Sequence, residues 1–326
     1  MLSKQTISLI IKISIVFVSI FFLYKQISIK SSADEFDIKT IYINLSNNFY
    51  LSFIVFFMMF VNWFLEALKW RFLISKIEKV SILRSLRAVF SGITVSAFTP
   101  NRIGEYGGRI FCLEKADRIK GALITVIGSM AQLITTIIFG LIGLLYLPSL
   151  LPNLNILFTN FVFAYPILVF SVILLCVLLV VLYLNISFFS VVFSKFRFLN
   201  KFKKYNKVFT YYNSSELLEV LIYSFARYLV FSSQFYILLK IFNVNITYID
   251  SLTLNSLMLM TITVIPNYLP IFEFAQRGIV AISIFSLLSN NSIGIFSATF
   301  TMWATNLLLP ALVGTIFIFT LKFFRT

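Results

Sequence analysis

Residues 99–109 read TPNRIGEYGGR, and they interrupt a chain that is otherwise nearly all apolar. Pro100 cannot continue a helix that arrives over residues 85–98, because it has no N–H and its ring clashes with the preceding turn. Asn101 is a suitable N-cap for a second helix, and Gly104 keeps the backbone accessible. The stretch therefore predicts a helix that is broken and then resumes.

The same stretch carries three charged side chains where charge is otherwise rare. Glu105 and Arg109 are spaced i,i+4, so they lie on one face of the second helix, and Arg102 precedes them. Charged groups are costly where water is scarce, and within membrane segments they mark functional sites. The free N–H groups at a helix break, together with Arg102 and Arg109, predict a site for an anion.

A second stretch repeats this pattern nearer the end of the chain. It contains Pro266, Asn267, Pro270, Glu273 and Arg277. These residues repeat the Pro-Asn pair and the Glu-x-x-x-Arg spacing of the first stretch, with a two-residue insertion between them. Interrupted apolar segments at matching positions of two halves indicate a transporter-like binding site built on an internal repeat.

The composition is typical of membrane proteins. The 326 residues are 60% hydrophobic and 12% charged, and the mean hydropathy is +0.96. Apolar runs near 20 residues are long enough to cross a bilayer. The net charge of +15 comes from Lys and Arg in short loops between those runs, so the positive-inside rule accounts for it. We therefore expect no nucleic-acid partner.

We predict an all-α polytopic membrane protein that forms a single domain over residues 1–326. Two broken, re-entrant helical hairpins are expected over about 83–113 and 250–288, because each limb of the first is too short for a full crossing. Pro148 and Pro152 are expected to end the third span, and Lys69, Trp70 and Arg71 to form an interfacial anchor. About six spans are expected, near 7–24, 49–68, 121–147, 161–184, 219–242 and 295–319.

The distribution of basic residues predicts the orientation. With both termini in the cytoplasm, most of the 27 Lys and Arg residues fall on the cytoplasmic side. The segments 49–147 and 219–319 then run in opposite directions and form an inverted repeat, which is the architecture expected of alternating access.

The residue inventory argues against several kinds of chemistry. The chain has no histidine, and its two cysteines, Cys112 and Cys176, lie in or near apolar runs. We therefore expect no disulfide, no metal cluster and no cofactor, and we do not expect an enzyme.

Two interpretations of the Glu-Arg pairs remain open. They are structural ion pairs, or they form a head-group site with arginines on phosphate and glutamates on an amine or hydroxyl. Arg102 has no glutamate at i+4 and is the best candidate for a phosphate ligand. Glu66 and Arg227 either pair with the hairpin charges or lie solvated near a membrane face. Three amides are expected to form hydrogen bonds between helices, namely Asn62, Gln234 and Asn306.

The residues 100–105, PNRIGE, with Trp70 and Arg71 upstream, resemble the transmembrane region of lysylphosphatidylglycerol synthases and the wider flippase-like family. That family typically has Gly at the position of Asn101, and glycines where the second stretch has PNYLP. The resemblance implies a lipid-handling protein related to those that move an aminoacylated phospholipid between leaflets. The chain ends at Thr326 without the soluble transferase domain, so we expect any transferase to be a separate partner.

Three classes of function compete at this point. A flippase or transporter for a phospholipid or a polyprenyl-phosphate-linked head group accounts for the repeat and the paired broken helices. A membrane glycosyl- or phosphotransferase, or its accessory, needs a catalytic cluster, and the only acidic cluster is at 34–37 in a loop. A non-catalytic scaffold explains the ion pairs but not their repetition. We favour the first class, in a bacterial or archaeal cytoplasmic membrane, with anionic membrane lipids as partners.

Overall fold

The structure is a computed structural model that describes residues 6, 9–10, 12–18, 21, 38–151, 164–188, 205, 207–265, 273–319 and 321. These residues form eleven α-helices and no strand, which confirms the all-α prediction for this part of the chain. The helices are α1 (Ile38–Asn47), α2 (Phe49–Ile74), α3 (Ile82–Ser96), α4 (Gly104–Ile110), α5 (Arg118–Leu150), α6 (Ala164–Leu184), α7 (Ser214–Ile241), α8 (Tyr248–Val264), α9 (Glu273–Phe285), α10 (Ser292–Trp303) and α11 (Leu309–Ile318).

Four helical segments of the described chain are long and apolar enough to cross a membrane. They match the predicted second, third, fourth and sixth spans and cover Phe49–Ile74, Arg118–Leu150, Tyr165–Leu184 and Ser292–Ile318. The last of them joins α10 to α11 through a π-helical turn, Ala304–Leu308. The predicted fifth span forms α7, which has 28 residues but contains Arg227 and Gln234 and is not among the four. Ten of the eighteen residues of the predicted first span are described, namely 9–10, 12–18 and 21, and all ten are helical; the other eight lie outside the described residues.

Two local expectations are wrong. Pro148 does not end α5, because the last turn closes after it, with Leu151 N–H donating to Leu147 O at 3.2 Å; the helix ends at Leu150, and Pro152 lies outside the described residues. Lys69 and Trp70 do not form an interfacial anchor, since they are only 2% and 1% exposed. Trp70 Nε1 donates to Thr125 Oγ1 at 3.1 Å, so α2 turns this side chain toward α5 instead of a membrane surface.

The two halves have the same order of elements. A long helix (α2 or α7) is followed by a short one (α3 or α8), then by a second short helix and a long segment. The short helix of each half packs against the long last segment of the other, α3 on α11 and α8 on α5. Both contacts are close: a Cβ on Gly314 would lie 2.2 Å from Phe90 O, and one on Gly143 would lie 2.2 Å from Ser256 Oγ. The helices α2 and α7 also pack against each other.

Candidate functional site

The break after α3 is built from two residues with left-handed backbone. Pro100–Arg102 forms a 3₁₀ turn, in which Asn101 has φ 48° and Arg102 has φ 59°. The predicted break at Pro100 is therefore confirmed. Such conformations are sparsely populated for residues other than glycine and cost about 1–3 kcal/mol each, and they concentrate at functional sites.

The start of α4 differs from the expectation. Asn101 is not the N-cap, because its left-handed backbone turns the chain so that the Thr99 hydroxyl accepts the Gly104 N–H at 2.8 Å. A Cβ on Gly104 would lie 2.6 Å from Val95 O, so this glycine permits close packing against α3. The N–H groups of Arg102 and Ile103 also bond within the turn. The predicted anion site at free N–H groups is therefore not formed by these three amides.

Glu66 of α2 is the centre of a buried charge network. Its carboxylate accepts from Lys69 at 2.8 Å, from Arg109 of α4 at 2.8 Å and from Arg227 of α7 at 2.6 Å. Arg109 also pairs with Glu105, as the i,i+4 spacing predicts. The side chains of Glu66, Lys69 and Arg109 are at most 5% exposed. One carboxylate therefore ties three basic side chains on three elements together.

A chain of side-chain amides extends this network between the two halves. Arg227 Nε donates to Asn62 Oδ1 at 2.9 Å, and Asn62 Nδ2 donates to Asn306 Oδ1 at 3.2 Å. Asn306 Nδ2 then donates to Gln234 Oε1 at 2.9 Å. These three amides form interhelical hydrogen bonds, as predicted, and they fix the π-helical turn of the last segment against α2 and α7.

A cavity lies beside the network, and the two motifs meet there. Its volume is about 80 Å³, and it has an open mouth. Arg102 from the first broken stretch lines it together with Glu273 and Arg277 from the second. The side chains of Arg227, Trp63 and Trp303 also line the cavity. A neighbouring recess shares Arg102, Glu273 and Arg277 and extends toward Asn101.

The second motif also forms its expected ion pair. Arg277 donates to Glu273 at 2.9 Å, and the two side chains are 23% and 8% exposed. Three arginines and one carboxylate thus face a single space, and this favours binding of a negatively charged group such as a phosphate. Arginine suits this role because its planar fork matches phosphate oxygens.

The family model of the lysylphosphatidylglycerol synthase TM region matches residues 9–314. The chain belongs to this family. With its four long apolar helices, it is an integral membrane protein. No curated protein and no solved structure matches the chain significantly.

The members of the candidate site divide into three groups in the structure of this family member. Arg102, Asn101, Glu273 and Arg277 line the cavity or the neighbouring recess. Of the described residues behind this wall, Glu105, Arg109 and Glu66 support it without lining either space, whereas Arg227 both lines the cavity and joins the network. Pro266, Asn267 and Pro270 lie outside the described residues.

Trp63 and Trp303 are the residues of this cavity that the sequence does not indicate by itself. A tryptophan in an apolar helix usually marks a membrane interface or fills a core. The available signal is local: Trp63 follows Asn62, and Trp303 lies one turn before Asn306, so both occupy helices that already carry buried amides. That signal indicates a polar interior but not the cavity.

Proposed function

We propose that the protein is a flippase-like lipid transporter that holds the phosphate-bearing head group of a phospholipid or a polyprenyl phosphate in this cavity. The observation that carries the proposal is the meeting of Arg102 with Glu273 and Arg277. Two stretches far apart in sequence contribute charged side chains to one space, inside a protein whose helices are mostly apolar. A lipid head group is the polar molecule that must cross such an interior.

The matched halves support the transport mechanism. Residues 49–147 and 219–319 are proposed to be inverted repeats, since their helices follow the same order and pack across each other reciprocally. Repeats of opposite direction allow the central site to open alternately to each side of the membrane. Both termini are proposed to lie in the cytoplasm, because most basic residues then fall on that side.

The short helices support re-entry of the hairpins. α3 has 15 residues and α8 has 17, which corresponds to about 22–26 Å at 1.5 Å per residue. The hydrocarbon core is about 30 Å thick, so neither helix crosses it when upright. Their inner ends then bring the two broken stretches close to the middle of the membrane, where the cavity is needed.

The second candidate function is a membrane scaffold or accessory of a separate transferase. It is favoured by the internal ion pairs, because Glu66, Glu105 and Arg109 are all neutralised within the protein. It leaves Arg102 unexplained, since no ion pair holds its guanidinium among the described residues and its Nε is buried without a hydrogen-bond partner there.

Lipid movement in vesicles that contain only this protein tests the proposal. R102A is expected to abolish movement of a fluorescent phospholipid between leaflets while the melting temperature stays near that of the wild type. R84A is the matched control, because Arg84 pairs with Glu78 and Glu114 away from the cavity. Wild-type vesicles that move no phosphate-bearing lipid would refute the transporter, whereas R102A vesicles as active as wild type would refute the binding role of Arg102.

A further inference from the structure

Three buried N–H groups around the cavity have no hydrogen-bond partner among the described residues. They are Trp63 Nε1, Trp303 Nε1 and Arg102 Nε. Both tryptophans are 4% exposed, so water does not readily replace the missing partner. An indole N–H only donates, and a buried donor without an acceptor is costly. All three residues line the same cavity, so a ligand that enters it lies beside all three side chains.

The amide acceptors of the same wall are already occupied, and Arg277 neutralises the carboxylate of Glu273. Asn62 Oδ1 accepts from Arg227, Asn306 Oδ1 accepts from Asn62, and Glu273 Oε1 accepts from Arg277. The unused hydrogen-bonding capacity of these described residues is therefore mainly that of donors. A complementary ligand offers acceptors, and an ionised phosphate offers several with no donor of its own.

The net charge around the cavity also favours an anionic ligand. The cavity and the network behind it contain five basic and three acidic side chains. The basic ones are Lys69, Arg102, Arg109, Arg227 and Arg277, and the acidic ones are Glu66, Glu105 and Glu273. Two positive charges remain uncompensated. An added ammonium group would meet this excess in a poorly hydrated space, where like charges repel strongly.

We propose that Trp63 and Trp303 are head-group ligands whose indole N–H groups donate to phosphate oxygens beside Arg102. We further infer that this site selects an anionic phosphate head group over one that carries an added amine. The inference rests on the proposed function, and it names the substrate class of the same cavity. It separates this chain from an aminoacyl-lipid carrier, because a lysyl ester turns an anionic phospholipid into a cationic one.

The third tryptophan of the chain is a matched control. Trp70 is as deeply buried, but its Nε1 already donates to Thr125 Oγ1, and it does not line the cavity. Replacing tryptophan by phenylalanine keeps an aromatic ring and removes the N–H. W70F therefore measures the structural effect of the change, whereas W63F and W303F each also remove one proposed phosphate contact.

Binding to the purified full chain in nanodiscs of zwitterionic lipid tests the inference. The probes are short-chain phosphatidylglycerol, short-chain lysyl-phosphatidylglycerol and inorganic phosphate, measured by titration calorimetry. We expect phosphatidylglycerol to bind at least about tenfold more tightly than the lysylated lipid. W63F and W303F should each weaken phosphatidylglycerol binding by about tenfold, because each loses a hydrogen bond to a charged group. W70F should bind as the wild type does.

Two results would overturn the inference: unchanged phosphatidylglycerol binding in both W63F and W303F, or equal or tighter binding of the lysylated lipid. Inorganic phosphate that binds as tightly as phosphatidylglycerol would assign the site to a soluble anion and overturn the lipid class. The vesicle assay separates the two proposals. Indole-dependent binding without lipid movement would refute only the transporter, whereas movement that requires Arg102 but not the indole groups would refute only the indole contacts.

Discussion

Among single side chains, Glu66 is expected to contribute most to the stability of the buried charge network. It is the shared partner of Lys69, Arg109 and Arg227 in a space with little water. Among the described residues, Glu66 carries the only negative charge that all three contact, so E66Q removes it, and breaking a buried pair by removing one partner costs about 3–5 kcal/mol. We expect a large fall in the melting temperature of E66Q in detergent. E114Q is the control, because Glu114 is 44% exposed and such surface pairs contribute at most about 1 kcal/mol.

Glu105 should matter less than Glu66 for stability. After E105Q, Arg109 still donates to Glu66 at 2.8 Å, so it is not left without a counter-charge. The double reversal E105R/R109E should be more damaging than E105Q, because it places a carboxylate where Arg109 faced Glu66. Equal melting temperatures for E66Q and E105Q would contradict the assignment of Glu66 as the centre of the network.

Glu78 predicts a pH dependence at the connection between α2 and α3, outside the spans. Burial alone would raise the pKa of this carboxyl, but the backbone N–H groups of 114–116 and Arg84 outweigh burial, so its pKa is lowered. The carboxylate therefore stabilises the fold above the ordinary glutamate pKa of about 4.3, and this contribution is lost as pH falls through the lowered pKa. E78Q should melt below the wild type at pH 7, and the difference should shrink below about pH 4.

A control for that pH scan is E219Q, since Glu219 lies exposed at the start of α7. Its difference from the wild type should be small at every pH. A gap between E78Q and the wild type that is as wide at pH 3 as at pH 7 would show that the charge of Glu78 is not what stabilises this connection.

The charged members of the site were predictable because a charge in an apolar run is conspicuous. Arg102, Glu273 and Arg277 were found in this way, and the i,i+4 pairs follow from helix geometry. The partners of Glu66 were predictable only in part: pairing with the hairpin charges was one of two interpretations, and Arg109 is such a partner, whereas the contact with Arg227 depends on how α2 and α7 pack. Trp63 and Trp303 were not predictable as ligands either, since the role of an indole N–H depends on whether the fold gives it an acceptor.

Among the helices, the hairpin of α3 and α4 depends on one pair of glycines. A Cβ on Gly108 would lie 2.6 Å from Gly92 Cα, whereas a Cβ on Gly107 would have no neighbour within 4 Å. G108A should therefore push α4 away from α3 and destabilise the protein by about 1–3 kcal/mol, as overpacking does. Because Arg109 follows directly, lipid binding should weaken as well. G107A is the matched control and should lose neither stability nor binding; equal effects would contradict this packing.

The sequence predicts where these helices break better than how they pack. Pro100 marks the break because a missing N–H and a ring clash act locally. Nothing local distinguishes Gly107 from Gly108, because the difference arises from which of them faces Gly92. Pro148 shows the converse: a proline that should end a helix is accommodated when only the last turn follows it.

Across the protein, the order of helices was predictable and their reciprocal packing was not. Hydropathy indicates the long spans, and the repeated motif indicates two halves. That α3 packs on α11 and α8 on α5 depends on glycines that are far apart in sequence. The direction of one half relative to the other is still a proposal, and labelling of introduced cysteines in intact cells can test it.

The connections 75–81 and 242–247 occupy the same place in the two halves, directly after α2 and directly after α7. If the halves are inverted, these connections lie on opposite faces of the membrane; if the halves are parallel, they lie on the same face. The first contains Lys76 and Lys79, whereas 242–247 has no charge, so the positive-inside rule places the first in the cytoplasm.

In a C112S/C176S background, N245C should react with an impermeant thiol reagent in intact cells, and K79C should react only after the membrane is opened. Both positions are exposed, so access to the reagent is set by the side of the membrane and not by burial. Labelling of both cysteines in intact cells, or of neither, would show that the halves are parallel and would remove the geometric basis for alternating access.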